Sequence, residues 1–176
     1  MNSSSARYAP TLRRLHWLMA ILIAAAYLLI EQRGVFGRGG RFVMMQSHFW
    51  VGIAIFVLVW LRIAQRRKFG VPPVTPALPD WQDVLSTITH FCLYAFFIVM
   101  PILGISAAWL DGKSVFIPFT RLAIPPLLAE NELWAHSIED LHGQIGNVFY
   151  WIIGLHILAA LYHHFLRKDN TLQRMR

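Results

Sequence analysis

The sequence predicts an all-α membrane protein, a four-transmembrane-helix bundle with its N- and C-termini cytoplasmic, and three observations carry that prediction. The first is composition: of 176 residues, 56% are hydrophobic and 14% charged, where soluble domains carry ~25% charged residues. The second is the gathering of apolar residues into four runs, Leu15–Ile30, Val43–Leu61, Phe91–Leu110 and Ile145–Phe165. Three of them approach the ~20 residues that a spanning helix needs, and the first does so if it starts near Pro10. The third is the placement of charge. With four spans, the N-terminus, the second loop and the C-terminus share one side. That side holds Arg7, Arg13, Arg14, Arg62, Arg66, Arg67, Lys68, Arg167, Lys168, Arg174 and Arg176, eleven of the sixteen cations. The opposite side holds six of the nine acids. The positive-inside rule makes the basic side cytoplasmic. The net charge of +7 therefore reads as membrane topology, and no nucleic-acid partner is expected.

Helices are predicted over 10–30, 43–62, 84–110 and 138–166. Residues 1–9 are polar and read as an unstructured lead-in, with the first helix opening at Pro10 or Thr11. The first run, with His16 at its very start, is read as a retained span rather than a cleaved signal. The segment EQRGVFGRGGRF reads as an outer loop carrying Arg33, Arg38 and Arg41. VPPVTPALPD is an extended inner connector. Pro101 falls inside the third helix and predicts a kink there. The outer loop 111–140 is the longest and most acidic, with a short surface helix expected over Leu127–Ser137. A basic tail, RKDNTLQRMR, follows the fourth helix. The tryptophans lie mostly near span ends and read as interface anchors. The lone Cys92 provides for neither a disulfide framework nor a cysteine metal site within the chain.

The histidines are the chemistry. His142 and His156 stand 14 residues apart on the fourth helix, on one face and separated by ~21 Å of rise. His163 continues the stripe. Alternating helix direction places His48 and His142 near the outer surface. His16, His90 and His156 fall in the inner half, with His163 and His164 at the inner edge. Two imidazoles on facing helices at one depth suit the two axial positions of a haem iron. Zinc would need further ligands, and neither layer offers a cysteine or a well-placed carboxylate. The outer pair is then His48 with His142. The inner layer leaves a choice, since His156 can pair with His16 or with His90. A porphyrin beside its ligand needs a small residue about one turn on. Ala20, Gly52, Gly146 and Ala160 follow His16, His48, His142 and His156 by four residues, whereas Tyr94 follows His90 and Arg167 follows His163. That test favours His16. His136 and His164 read as interfacial.

These residues sit in segments that resemble the bacterial cytochrome b561 family, in its superoxide oxidase branch. The matching stretches are RLHWLMA (14–20), RGVF (33–36), HFWVGI (48–53), LVWLR (58–62), YAFFIVMPILG (94–104), HG (142–143) and GLHILAALYHHFLRKDNTLQRM (154–175). Coverage runs end to end, so the chain is expected to be a single domain over 1–176, and loop 111–140 departs most from the family pattern. The resemblance implies two haem b groups, one on His48 and His142 and the other on His16 and His156. It implies an oxidoreductase of the bacterial inner membrane, multi-pass and surrounded by membrane lipid. Such a protein takes electrons from periplasmic superoxide and passes them to ubiquinone on the cytoplasmic side. His90 and His163 then fall in the quinone vicinity. Arg33, Arg38 and Arg41 would draw the superoxide anion toward the outer haem. Two other readings stand beside this one: a membrane cytochrome b subunit fed by a periplasmic redox partner, and a non-redox transporter with histidine proton relays.

Overall fold

A computed structural model describes residues 7–176 of the chain. Residues 1–6 of the predicted lead-in lie outside the described residues. Four long helices follow one another: α1, Pro10–Glu31; α2, Gly37–Phe69; α3, Asp80–Leu110; and α4, Glu132–Tyr162. All four are long and apolar enough to cross a membrane. Each carries large apolar side chains that no protein covers: Ile21 on α1, Val57 on α2, Phe91 on α3, and Trp151 and Leu155 on α4. Water would not tolerate apolar surface on that scale, whereas lipid solvates it.

The ends of the helices differ from the sequence expectation, for local reasons. α2 starts at Gly37 rather than Val43, so Arg38 and Arg41 stand on its first turns instead of in a loop. A short 3-10 turn, Gln32–Gly34, packs against both α1 and the start of α2, and this packing overrides the poor helix propensity of the glycines. α2 also runs past Leu61 through the basic residues Arg66, Arg67 and Lys68, which favour a helix C-terminus. It stops at Gly70, whose φ of 72° suits glycine. α3 begins at Asp80 with Asp80 and Asp83 in its first turn, and it continues as helix through Pro101. No separate helix covers Leu127–Ser137. Asn131 instead caps α4, accepting the Trp134 amide at 3.1 Å, so that residues 132–137 extend α4 itself.

Loop 111–131 is not wholly irregular. It contains a two-stranded antiparallel hairpin, β1 (Val115–Phe116) with β2 (Ala123–Ile124), a small departure from an all-α chain. Gln46 of α2 holds it from both sides, donating to the Ser114 carbonyl at 3.1 Å and accepting the Phe116 amide at 2.9 Å. Trp50, expected as an interface anchor, donates its indole N–H to the Phe116 carbonyl at 2.7 Å.

The tail is also ordered. After Tyr162 the chain continues as a π-helical turn, His163–Arg167, and reverses at Lys168 with a φ of 57°. Asn170 then exchanges backbone and side-chain bonds with Thr75, at 3.2 and 2.8 Å, in the connector between α2 and α3. The Tyr8 amide donates to the Arg174 carbonyl at 3.0 Å. Tyr8 therefore belongs to the folded end, unlike the unstructured lead-in expected there. Both termini and the 70–79 connector are fastened together at one end of the bundle.

α1 packs along α2, α2 along α3, and α3 along α4. Met19, Ile55 and Val59 form the buried centre of the first three helices, and Phe96 stacks on Phe149 at 3.8 Å between α3 and α4. The backbone of α4 hardly approaches α1 or α2. A slot therefore runs between α4 and the two helices that carry histidines toward it.

Candidate functional site

The outer part of the slot is a cavity of ≈ 320 Å³, within the ~300–1,000 Å³ of ligand pockets. His48 enters it from α2 and His142 from α4, with ring centres 6.2 Å apart and planes at 78°. Each ring is held through Nδ1. His48 donates to the Ala26 carbonyl at 3.0 Å and His142 to the Met100 carbonyl at 3.1 Å. A carbonyl can only accept, so Nδ1 carries the proton and Nε2 keeps its lone pair in the neutral ring. Metal–imidazole bonds of ~2.0–2.1 Å, with each ring centre ~1 Å behind its nitrogen, put two axial imidazoles ~6 Å apart, centre to centre. The observed 6.2 Å matches that spacing.

Glycines make room beside these rings. Gly52 and Gly146 line the cavity, as does Gly104 of α3, which the sequence reading missed. A Cβ on Gly104 would lie 3.0 Å from His142 Cε1. The available signal was a glycine in a helix interior, where it costs ~1 kcal/mol against alanine without a packing reason. At the cavity mouth Tyr27 donates to the Gly146 carbonyl at 2.9 Å, and Tyr150 lies 4.1 Å from the Tyr27 ring and donates to Glu31 at 3.3 Å.

At the inner end, the rings of His16 and His156 are 6.4 Å apart with planes at 75°, close to the outer pair in both respects. His90 also reaches His156, at 5.6 Å, and its Nδ1 donates to the Ser86 carbonyl of its own helix at 2.6 Å. Arg62, counted in the sequence only among the cations of the cytoplasmic side, is buried here and donates to the Leu12 carbonyl at 2.9 Å. Among the described residues no group of three or more His, Cys, Asp or Glu is arranged for a metal ion. Two facing imidazoles suffice for an iron whose other four positions a porphyrin fills.

The remaining candidates are placed as follows. Arg33 lines the outer cavity. Arg38 and Arg41 are exposed on α2 outside the cavity lining. His163 lies on the π-helical turn, bonded through Nδ1 to Asp169 at 2.5 Å. Asp169, which the sequence showed only as one acid in a basic tail, is fully buried and also meets Arg167 Nε at 3.1 Å and the Thr171 amide at 2.9 Å. Burial alone would push its carboxyl up. The bonds from His163 and Thr171 outweigh burial and hold it below the usual carboxylate range.

The sequence pattern of the family described as "Prokaryotic cytochrome b561" matches residues 7–176. The chain belongs to the prokaryotic cytochrome b561 family. It is 33% identical to "Cytochrome b561 homolog 1" of Escherichia coli (strain K12) over 171 residues, covering 96% of each chain. It is 38% identical to "Probable superoxide oxidase CybB" of Yersinia pestis, covering 92% of this chain and 90% of that one. A more distant relative, 27% identical over 92% of this chain and 89% of its own length, is "Cytochrome b562" of Cereibacter sphaeroides. As a cytochrome b561, the chain is a multi-pass bacterial membrane protein that binds haem b and transfers electrons. That membership sets aside the proton-relay transporter.

Proposed function

We propose that the chain is a single-domain, di-haem electron conduit of the bacterial inner membrane, with both termini cytoplasmic, that oxidises superoxide outside and reduces ubiquinone inside. His48 and His142 hold the outer haem in this reading, and His16 and His156 the inner one. The observation that carries it is the pair of facing histidine couples, with ring centres 6.2 and 6.4 Å apart, at two depths on α4. Each haem, when bound, supplies a one-electron couple with no open iron position, which suits electron transfer rather than oxygen binding. Two superoxide anions each give up one electron and leave as O2. One ubiquinone takes those two electrons and two protons from the cytoplasmic side and leaves as ubiquinol. Support for superoxide comes from the relative named "Probable superoxide oxidase CybB" and from Arg33 at the mouth of the outer cavity.

On the quinone side, His90 touches His156 and His163 sits at the cytoplasmic end of the same helix. His163 Nδ1 donates to the Asp169 carboxylate, and Nε2, once it has taken up a proton from the cytoplasmic side, donates it to a quinone oxygen. Purified protein mixed with superoxide in a stopped-flow instrument is expected to show haem reduction at a near-diffusion rate, then reoxidation by ubiquinone. Haems that stay oxidised under superoxide would refute the substrate.

A second reading keeps the haems and replaces superoxide with a periplasmic redox partner. The exposed apolar residues of the outer loop, Phe119, Leu122 and Leu127, favour it, because a docking protein would cover them. Co-purification of a soluble redox protein, with slow reaction toward superoxide, selects this reading.

A further inference from the structure

The end of the bundle that holds both termini carries a second cavity, of ≈ 510 Å³, between α1 and the C-terminal tail. Its rim is Arg13, Arg14 and Arg176, and its apolar floor is formed by Trp17, Leu18 and Ile21. We propose that this cavity binds one anionic phospholipid of the leaflet at the basic end, phosphate on the arginines and one acyl chain along α1. The inference rests on this end lying at a membrane surface, not on the identity of the electron donor or acceptor.

Helix periodicity arranges the recognition groups by depth. Arg14, Trp17, Leu18 and Ile21 follow at intervals of three and four residues and so occupy one face of α1. From Arg14 to Ile21 that face descends ~10 Å, the distance from a headgroup into the acyl region. The order along it is cation, indole, then two exposed aliphatic side chains, which mirrors the polarity profile of a phospholipid. No Asp or Glu side chain lines the cavity. Its walls are fixed in place. Trp17 donates its indole N–H to the Met175 carbonyl at 2.9 Å, so the ring is a wall rather than a free interface anchor. Arg13 is pinned by a bond to a main-chain oxygen of Arg176.

Basic side chains near an anionic leaflet attract it generally, so the test must separate a site from a charged surface. The full chain with its haems is reconstituted into nanodiscs of phosphatidylcholine with an equal part of phosphatidylglycerol. Lipid retained after transfer to mild detergent is then counted by native mass spectrometry. One phosphatidylglycerol per chain is expected, in preference to phosphatidylcholine. Arg14→Gln lowers retention about fivefold, the effect of one surface cation, and Ile21→Trp, which fills the floor, lowers it without a change of charge. Arg67→Gln with Lys68→Gln, at the same end on α2, leaves it unchanged. The haem spectrum confirms that each variant is folded. Equal retention of the two lipids overturns the proposal, as does an equal loss in the Arg67/Lys68 variant. Displacement of the lipid by excess inorganic phosphate would reduce the cavity to a phosphate-ion site and likewise overturn it.

Discussion

Gly104 offers the sharpest test of how the outer site is held. In Gly104→Ala the new Cβ would stand 3.0 Å from His142 Cε1 and 3.4 Å from Nδ1. Carbon atoms settle at ~3.5–4.0 Å, so the ring must retreat by about 0.5 Å. Gly104 and Met100 lie one turn apart on the same helix, and retreat from one is retreat from the other. The bond from His142 Nδ1 to the Met100 carbonyl, 3.1 Å long, would stretch to about 3.6 Å, where it ceases to count as a hydrogen bond. Its loss costs about 1 kcal/mol, or roughly fivefold in haem affinity, before any strain at the iron. The assay is haem content per chain with a redox titration that resolves the two haems. Gly104→Ala is expected to lower the occupancy or shift the potential of one haem and leave the other unchanged. Gly39→Ala, where an added Cβ meets nothing within 4 Å, serves as the control. An unchanged ratio and unchanged titration in Gly104→Ala would refute the reasoning.

Other outcomes follow from the same geometry. Asp169→Asn removes the buried charge that faces His163 and Arg167 and should lower thermal stability by about 1–3 kcal/mol, read as an earlier melt of the haem absorbance. Because the Asp169 carboxyl is held low when folded, its contribution is complete above the ordinary carboxylate value of ~3.9 and is lost as pH falls through the folded value. The wild type should therefore lose stability on acidification more steeply than Asp169→Asn, and parallel melting curves would contradict this. Arg33→Gln should slow haem reduction by superoxide and flatten its dependence on ionic strength. Arg38→Gln and Arg41→Gln, outside the cavity lining, should do so less. An unchanged salt dependence in Arg33→Gln would remove Arg33 from the path of the anion.

The four spans were legible because a membrane imposes one length and one polarity on every helix that crosses it. Depth was legible for the same reason: alternating direction and a 1.5 Å rise per residue suffice to bring His48 level with His142, and the structure places those rings 6.2 Å apart. At the inner end the same argument left His16 and His90 both available to His156, and both are in contact with it. What the sequence did not disclose are contacts between segments far apart in the chain. Gly104 matters through a ring 38 residues away; Asp169 meets near neighbours, His163 and Arg167, but only because the chain reverses at Lys168, a turn with no signal in the sequence pattern. The order in loop 111–131 likewise depends on Gln46 and Trp50 of α2. The helix boundaries at Gly37 and Glu132 moved because packing and a cap outweighed local propensity.

The central claim is that α4 supplies one ligand to each of two haems. Haem content per chain in the wild type and in His142→Ala tests it most directly. The account predicts two haems falling to one, with the survivor keeping the spectrum of a six-coordinate b haem. Retention of two haems in His142→Ala, or loss of both while the chain remains folded, would contradict it.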